Sequence, residues 1–204
     1  MNAQLHWENV YGTKAPNQVS WFRLHLETSM SFIERSAPAH SARIIDVGGG
    51  ESTLVDDLLK HGYTNVAVLD ISSTAIGVTK ARLTSRADCV EWIVGDVTTI
   101  DLPANTYDVW HDRAVFHFLT SAADRAAYVE RVRTSVRPGG HVIIGTFGPE
   151  GPTKCSGLDV KRYDADSLHG EFGRRFRLID STKELHQTPF GTTQQFLYYF
   201  CVVE

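Results

Sequence analysis

Cysteine is scarce in this chain of 204 residues. Cys89, Cys155 and Cys201 are odd in number and far apart, with no C-x-x-C pair. That usage favours reduced thiols in the cytoplasm over a disulfide framework. The nine histidines are scattered, with no H-x-x-x-H pair and no Cys/His grouping, so no metal centre is expected. Charge of one sign is also lacking: 20 Lys and Arg against 24 Asp and Glu leave a net charge of −4. A nucleic-acid substrate and an anionic membrane are therefore disfavoured as partners. No uninterrupted apolar run approaches membrane-spanning length, and no basic segment followed by an apolar core opens the chain. Repeats, low-complexity tracts and linkers are absent. The expectation is one domain over 1–204, with an N-terminal helical lid (1–40), a cofactor-binding core (41–147), and an acceptor loop with a terminal hairpin (148–204).

Residues 43 to 52, Arg-Ile-Ile-Asp-Val-Gly-Gly-Gly-Glu-Ser, are the most informative stretch that is present. A short apolar run ends in Asp46, and three glycines follow at once. The order describes a buried parallel strand and a turn so tight that only residues without Cβ fit. Ser52 or Thr53 then caps a helix whose buried face is Leu54, Val55, Leu58 and Leu59. The spacing argues against a dinucleotide, since Thr53 stands where the third glycine of G-x-G-x-x-G belongs. No Gly-Lys-Ser/Thr follows, so Walker A is absent too. A glycine turn after a strand is equally often a mere tight connection.

The organisation beyond it is an alternation. An amphipathic helix is predicted over 19–36, with Val19, Phe22, Leu26, Met30 and Ile33 near helical spacing. Strands are predicted at 43–47, 65–70, 90–95, 107–111 and 141–147. Helices fall at about 52–61, 72–86 and 122–136, and Arg137-Pro138-Gly139-Gly140 makes a sharp turn into the fifth strand. A short helix near 164–172 precedes two long strands, 175–186 and 193–203, joined through Pro189-Phe190-Gly191. The fold class expected is α/β: a doubly wound, mostly parallel seven-stranded sheet with an antiparallel C-terminal hairpin and an N-terminal helical extension. An edge strand of that hairpin can pair with a second copy, so the chain is expected as a monomer or homodimer.

Three of the first strands end in an acid: Asp46, Asp70 and Asp96. Singly, each is as well explained as a turn or helix cap. Their joint placement carries more weight, because ligands of doubly wound sheets bind outside the carboxyl ends of the strands. The order D-V-G-G-G, V-L-D-I, G-D-V and Y-D-V-W-H-D-R, followed by R-P-G-G, resembles motifs I to IV and the post-motif turn of class I S-adenosylmethionine (SAM) methyltransferases. The match spans about residues 43–147. The resemblance implies that Asp46, Gly48 and Gly50 hold the methionine part of SAM. Asp70 and Ile71 would hold the ribose and adenine, and Asp96 and Val97 the adenine edge. His111 and Trp21 are further candidates against the cofactor, Asp112 can line its methionine end, and His111 is, with Arg113 and His117, a candidate catalytic residue.

The same resemblance puts the acceptor beyond the fourth strand. Arg113 can bind a carboxylate or pair with Asp112, and His117 can take a proton from a hydroxyl, thiol or amine. The alternatives are a structural arginine and a packed histidine. Methyl transfer also runs on in-line alignment, so a general base is not required. Trp7, Tyr11 and Trp21 are candidates for a lid that excludes water, and Phe22 fits the apolar stripe. Phe116, Arg162, Tyr163, Phe190 and the 154–157 loop can complete the acceptor wall. Cys155 reads as an inert thiol. The function expected is methylation of a small molecule at sulfur, oxygen or nitrogen, with S-adenosylhomocysteine as product. A protein lysine methyltransferase is the runner-up, because Asp112-Arg113-Ala114-Val115 is similar to a D-K-G-T stretch of such enzymes, from which it departs at three of four positions. A non-catalytic SAM-binding regulator is the third reading.

Overall fold

Strands buried on both faces are written as near-continuous apolar runs. β1 (Arg43–Val47) and β2 (Asn65–Asp70) are of this kind, each buried after its first residue. The computed structural model describes residues 2–204. β3 (Val90–Val94), β4 (Tyr107–Arg113) and β5 (Val136–Phe147) continue the parallel sheet. A two-residue hairpin, β6 (Lys154–Cys155) and β7 (Leu158–Asp159), stands apart, and β8 (Phe176–Gln187) and β9 (Thr193–Val203) close the sheet antiparallel. The seven strands lie in the order β3-β2-β1-β4-β5-β9-β8, the doubly wound sheet with a terminal hairpin that the pattern predicts.

Among the described residues, six α-helices flank it: α1 (Ala3–Thr13), α2 (Glu27–Ser36), α3 (Leu54–Lys60), α4 (Ser73–Leu83), α5 (Ala122–Ser135) and α6 (Ala165–Phe172). Alternate residues of each strand serve two cores. Ile44, Val66, Val68, Val109 and Ile143 pack under Ile33 of α2 and Leu54 and Leu58 of α3. Ile45, Leu69, Trp110 and Val142 pack under Tyr128 and Val132 of α5 and Leu168 of α6. Ser72 caps α4 as its sequence suggests, its hydroxyl accepting from the Ala75 amide at 3.1 Å. At α3 the Ser52 hydroxyl accepts from the Leu54 amide, whereas Thr53 donates to the carbonyl of Arg23.

Two elements depart from the sequence pattern. The helix predicted over 19–36 exists only from Glu27. Residues 19–26 run irregularly because their carbonyls are claimed from elsewhere: Ser20 by His186, Trp21 by Arg113, and Arg23 by Thr53. Carbonyls held in tertiary bonds are unavailable to an i→i−4 ladder. At 137–140 the strand does not wait for His141. Val136 already pairs with Tyr107, and the next pair is Val109 with His141, so Arg137 to Gly140 bulge out opposite Asp108. Arg137 bonds that aspartate.

Candidate functional site

Strand order turns back between β1 and β4, and a crevice opens beyond their carboxyl ends. The glycine loop forms its floor. Gly48 takes φ +71°, and a Cβ there would stand 2.0 Å from Val115 Cγ2. A Cβ on Gly50 would stand 2.5 Å from Ala75 Cβ and 2.6 Å from Asp70 Oδ2. The loop therefore lies directly on β2 and α4, and the Gly50 amide donates to Asp70 Oδ2 at 2.9 Å. Gly48 lines the crevice; Gly50 does not, and its contribution is to hold Asp70.

The larger part of the crevice is a cleft of about 290 Å³. Asp70, Ile71, Asp96 and Val97 line one wall, and Trp7 and Tyr11 of α1 face them. Asp70 also accepts from the Ser72 amide at 2.8 Å. Its burial pushes the carboxyl up to about 6, against the pull of these two amides, with Asp46 and Glu8 adding to the rise. Asp96 accepts from both the amide and hydroxyl of Thr98, so it starts a turn and faces the cleft at once.

α1 covers this cleft and is fastened there. The Glu8 carboxylate accepts from the Ser72 and Ser73 hydroxyls and from the Ser73 and Thr74 amides, at 2.8–3.1 Å. It thereby occupies the N-terminus of α4. Burial works against its charge, but the hydrogen bonds outweigh burial and bring Glu8 down to about 2. Trp7 stacks on Tyr11 at 5.8 Å and meets Trp21 and Phe118 edge-on at 5.9 and 5.0 Å.

A smaller cavity of about 40 Å³ adjoins the cleft and shares Tyr11, Trp21, Gly48 and Arg113 with it. It holds the remaining acids. Asp46 Oδ1 lies 2.7 Å from His111 Nδ1, while Asp46 Oδ2 is buried without a partner. His111 Nε2 lies 2.9 Å from Ser29 Oγ, which meets the Tyr198 hydroxyl at 3.3 Å. Glu51 also lines this cavity, 6% exposed, with both oxygens unpartnered. Burial pushes it up to about 7; Arg82 opposes the rise and Asp70 adds to it. Orphaned acid oxygens at one end and Asp70 in the adjoining cleft suit a ligand with an ammonium end and a nucleoside end. SAM fits that description.

Several residues expected at the site are spent elsewhere. Arg113 borders both cavities, but its Nε donates to the Tyr198 hydroxyl, its NH1 donates to the Trp21 carbonyl, and it lies 4.3 Å over the Phe196 ring. It secures the 19–26 segment to β9. His117 is fully buried, stacked on Phe147 at 4.4 Å, with Nδ1 accepting from the Phe147 amide. Burial, helped by Arg113, drives it down to about 3, so it stays neutral behind the cleft wall. Asp112 is also fully buried and accepts from the Val115 and Phe116 amides and from Tyr128. Phe116 and Tyr163 are core neighbours, 5.6 Å apart. Arg162 donates to the carbonyls of Pro149 and Gly151. Phe190 is 61% exposed at the tip of the β8–β9 turn and lines neither cavity.

Sequence reasoning missed Glu8, Glu51, Phe118 and Ser29. For Glu51 a signal existed: an ionisable side chain directly after a glycine turn. For Glu8 it was the hydroxyl-rich run Ser72-Ser73-Thr74 awaiting an acid.

Comparison with known proteins agrees with this geometry. A methyltransferase-domain family model matches residues 45–144. The ubiquinone/menaquinone biosynthesis C-methyltransferase UbiE of Roseobacter denitrificans is 29% identical over 128 residues, 61% of this chain and 49% of that protein. The malonyl-[acyl-carrier protein] O-methyltransferase of Halalkalibacterium halodurans is 29% identical over 120 residues, 57% of this chain and 43% of that protein. The chain thus spans about half the length of these curated relatives. The N-methyltransferase NodS of Bradyrhizobium japonicum, solved with S-adenosyl-L-homocysteine, shares the fold at a TM-score of 0.73 and 14% identity, covering 100% of this chain and 99% of that one. The domain match over residues 45–144, the ordered motifs and the sheet that carries them make this part of the chain similar to the methyltransferase domain.

Proposed function

We propose that this chain is a SAM-dependent methyltransferase acting on a small-molecule acceptor. The observation that carries the reading is the adjacency of the two cavities. A nucleoside-sized cleft walled by Asp70 adjoins, through shared lining residues, a smaller cavity where Asp46 keeps an unpartnered buried oxygen. Bound there, SAM supplies an electrophilic methyl on a sulfonium sulfur. Asp70 accepts from ribose hydroxyls, the Val97 region meets the adenine edge, and Asp46 Oδ2 takes a proton-bearing ammonium. Trp7, Tyr11 and Trp21 exclude water from the join and present aromatic faces to the cation.

Neither cavity is lined by a free histidine or lysine that would serve as a base: His111 has both nitrogens engaged, and His117 lies behind the wall. Positioning is then the chief catalytic device, which suits a soft or already ionised nucleophile. A thiol or sulfide is the acceptor favoured on that ground, ahead of a hydroxyl or amine. Asp112, the one acid of the stretch compared with lysine methyltransferases, supports a turn, which weighs against that reading. Three cysteines free of disulfides support a cytoplasmic location, and no helix among the described residues is long and apolar enough to cross a membrane. A net charge of −4 supports a reading without nucleic acid as substrate, with the chain acting as a monomer or homodimer.

Incubation with labelled SAM and a panel of thiols, sulfides, phenols, amines and carboxylates tests the proposal. A methylated small product with stoichiometric S-adenosylhomocysteine is expected. Label on protein lysine alone, or tight SAM binding with no turnover on any acceptor, would contradict it.

A further inference from the structure

Glu51 is the unexplained acid of the site. It follows the glycine turn directly, is almost fully buried, and lines the smaller cavity of the crevice with neither oxygen hydrogen-bonded. An ionisable carboxyl in such a place is costly unless something arrives to partner it. Asp46, in the same cavity, likewise keeps one oxygen free. The cations nearby are engaged: Arg82 donates to the carbonyls of Glu51 and Ser52 and to Asp56, and Arg23 pairs with Glu27 and Glu184.

We propose that Glu51 is a second acid for the ammonium of the cofactor's methionine half, which it grips together with the free oxygen of Asp46. The inference rests on the SAM reading above and extends it to a residue outside the ordered motifs. One ammonium between two carboxylates has a consequence for protons. The groups facing Glu51 are Arg82, Asp70, Asp46, Tyr11, His111, Arg23 and Arg113, and burial leaves its carboxyl largely protonated just below neutral pH. An arriving cation favours the ionised form, so Glu51 releases its proton as the ligand binds.

Calorimetry with S-adenosylhomocysteine and with 5′-methylthioadenosine, which lacks the amino-acid end, separates this from other roles. Glu51→Gln is expected to weaken S-adenosylhomocysteine binding by roughly tenfold or more while leaving methylthioadenosine binding within about twofold. For the wild type, S-adenosylhomocysteine should release a fraction of a proton near neutral pH, read from two buffers of different ionisation enthalpy, and Glu51→Gln should abolish that release. Equal binding of S-adenosylhomocysteine by both proteins, or equal loss of both ligands in the variant, overturns the role of Glu51 and leaves the cofactor reading standing. Binding of neither ligand by the wild type overturns the cofactor reading and this inference with it.

Discussion

His111 and Asp46 are register partners on adjacent parallel strands, and their side chains meet at 2.7 Å between Nδ1 and Oδ1. The contacts they begin run on in order: His111 Nε2 lies 2.9 Å from Ser29 Oγ, Ser29 meets the Tyr198 hydroxyl at 3.3 Å, and Tyr198 accepts from Arg113 Nε. The chain fixes one Asp46 oxygen and leaves the other buried without a partner.

His111→Phe tests this order. It leaves Asp46 Oδ1 buried and unpartnered, and the expected loss of stability is about 1–3 kcal/mol in chemical denaturation. Affinity for S-adenosylhomocysteine should fall as well. Unchanged stability would show that the Asp46–His111 bond does not hold the site.

Glu8→Ala should release α1 from the N-terminus of α4. Hydrogen exchange is expected to speed across Ala3–Thr13 while the sheet stays protected, because the contact ties down a helix and not the core. Glu8 is depressed from 4.5 to about 2, so its contribution is present above about pH 4.5 and is lost as pH falls toward 2. Emission from Trp7 should follow that acid limb in the wild type and lose it in the variant.

Arg113→Met removes a guanidinium whose side chain is only 5% exposed and which bonds the Trp21 carbonyl and Tyr198. It also removes the ion pair of Arg113 with Glu184 at 3.7 Å. A loss of about 3–5 kcal/mol is expected, together with freer tumbling of Trp21 in fluorescence anisotropy. A variant of wild-type stability that lost only acceptor affinity would make Arg113 a substrate ligand instead.

His117→Asn keeps a hydrogen-bond acceptor for the Phe147 amide and should retain turnover within about tenfold, as a non-catalytic residue does. The folded protein holds His117 down from 6.5 to about 3, so the unfolded chain binds the extra proton in that window. Wild-type stability is therefore full above about pH 6.5 and declines as pH falls toward 3. The variant should show a shallower decline in pH-dependent denaturation.

The strands and their terminal acids were legible in the sequence because a parallel strand records its burial residue by residue, as Ile44-Ile45 and Val66-Ala67-Val68-Leu69 do. The cleft positions Asp70, Ile71, Asp96 and Val97 follow from local order along the chain. What was not legible depends on partners distant in sequence. Val19, Phe22 and Leu26 have helical spacing, but His186, Arg113 and Thr53 claim the carbonyls between them. His117 follows an aromatic residue near the fourth strand, and sequence alone left it open as a base or a packed histidine; stacking on Phe147 from β5 makes it the latter. Glu8 acquires its role only when α4 presents its N-terminus 64 residues later.

The central claim is that this crevice seats SAM through Asp70 at the nucleoside end and Asp46 at the other. Calorimetric titration of SAM into the wild type and into Asp70→Ala tests it most directly. Stoichiometric binding by the wild type, weakened by at least about tenfold in the variant, is the result predicted for loss of a buried charge-assisted pair. Equal affinity in the two proteins would contradict it.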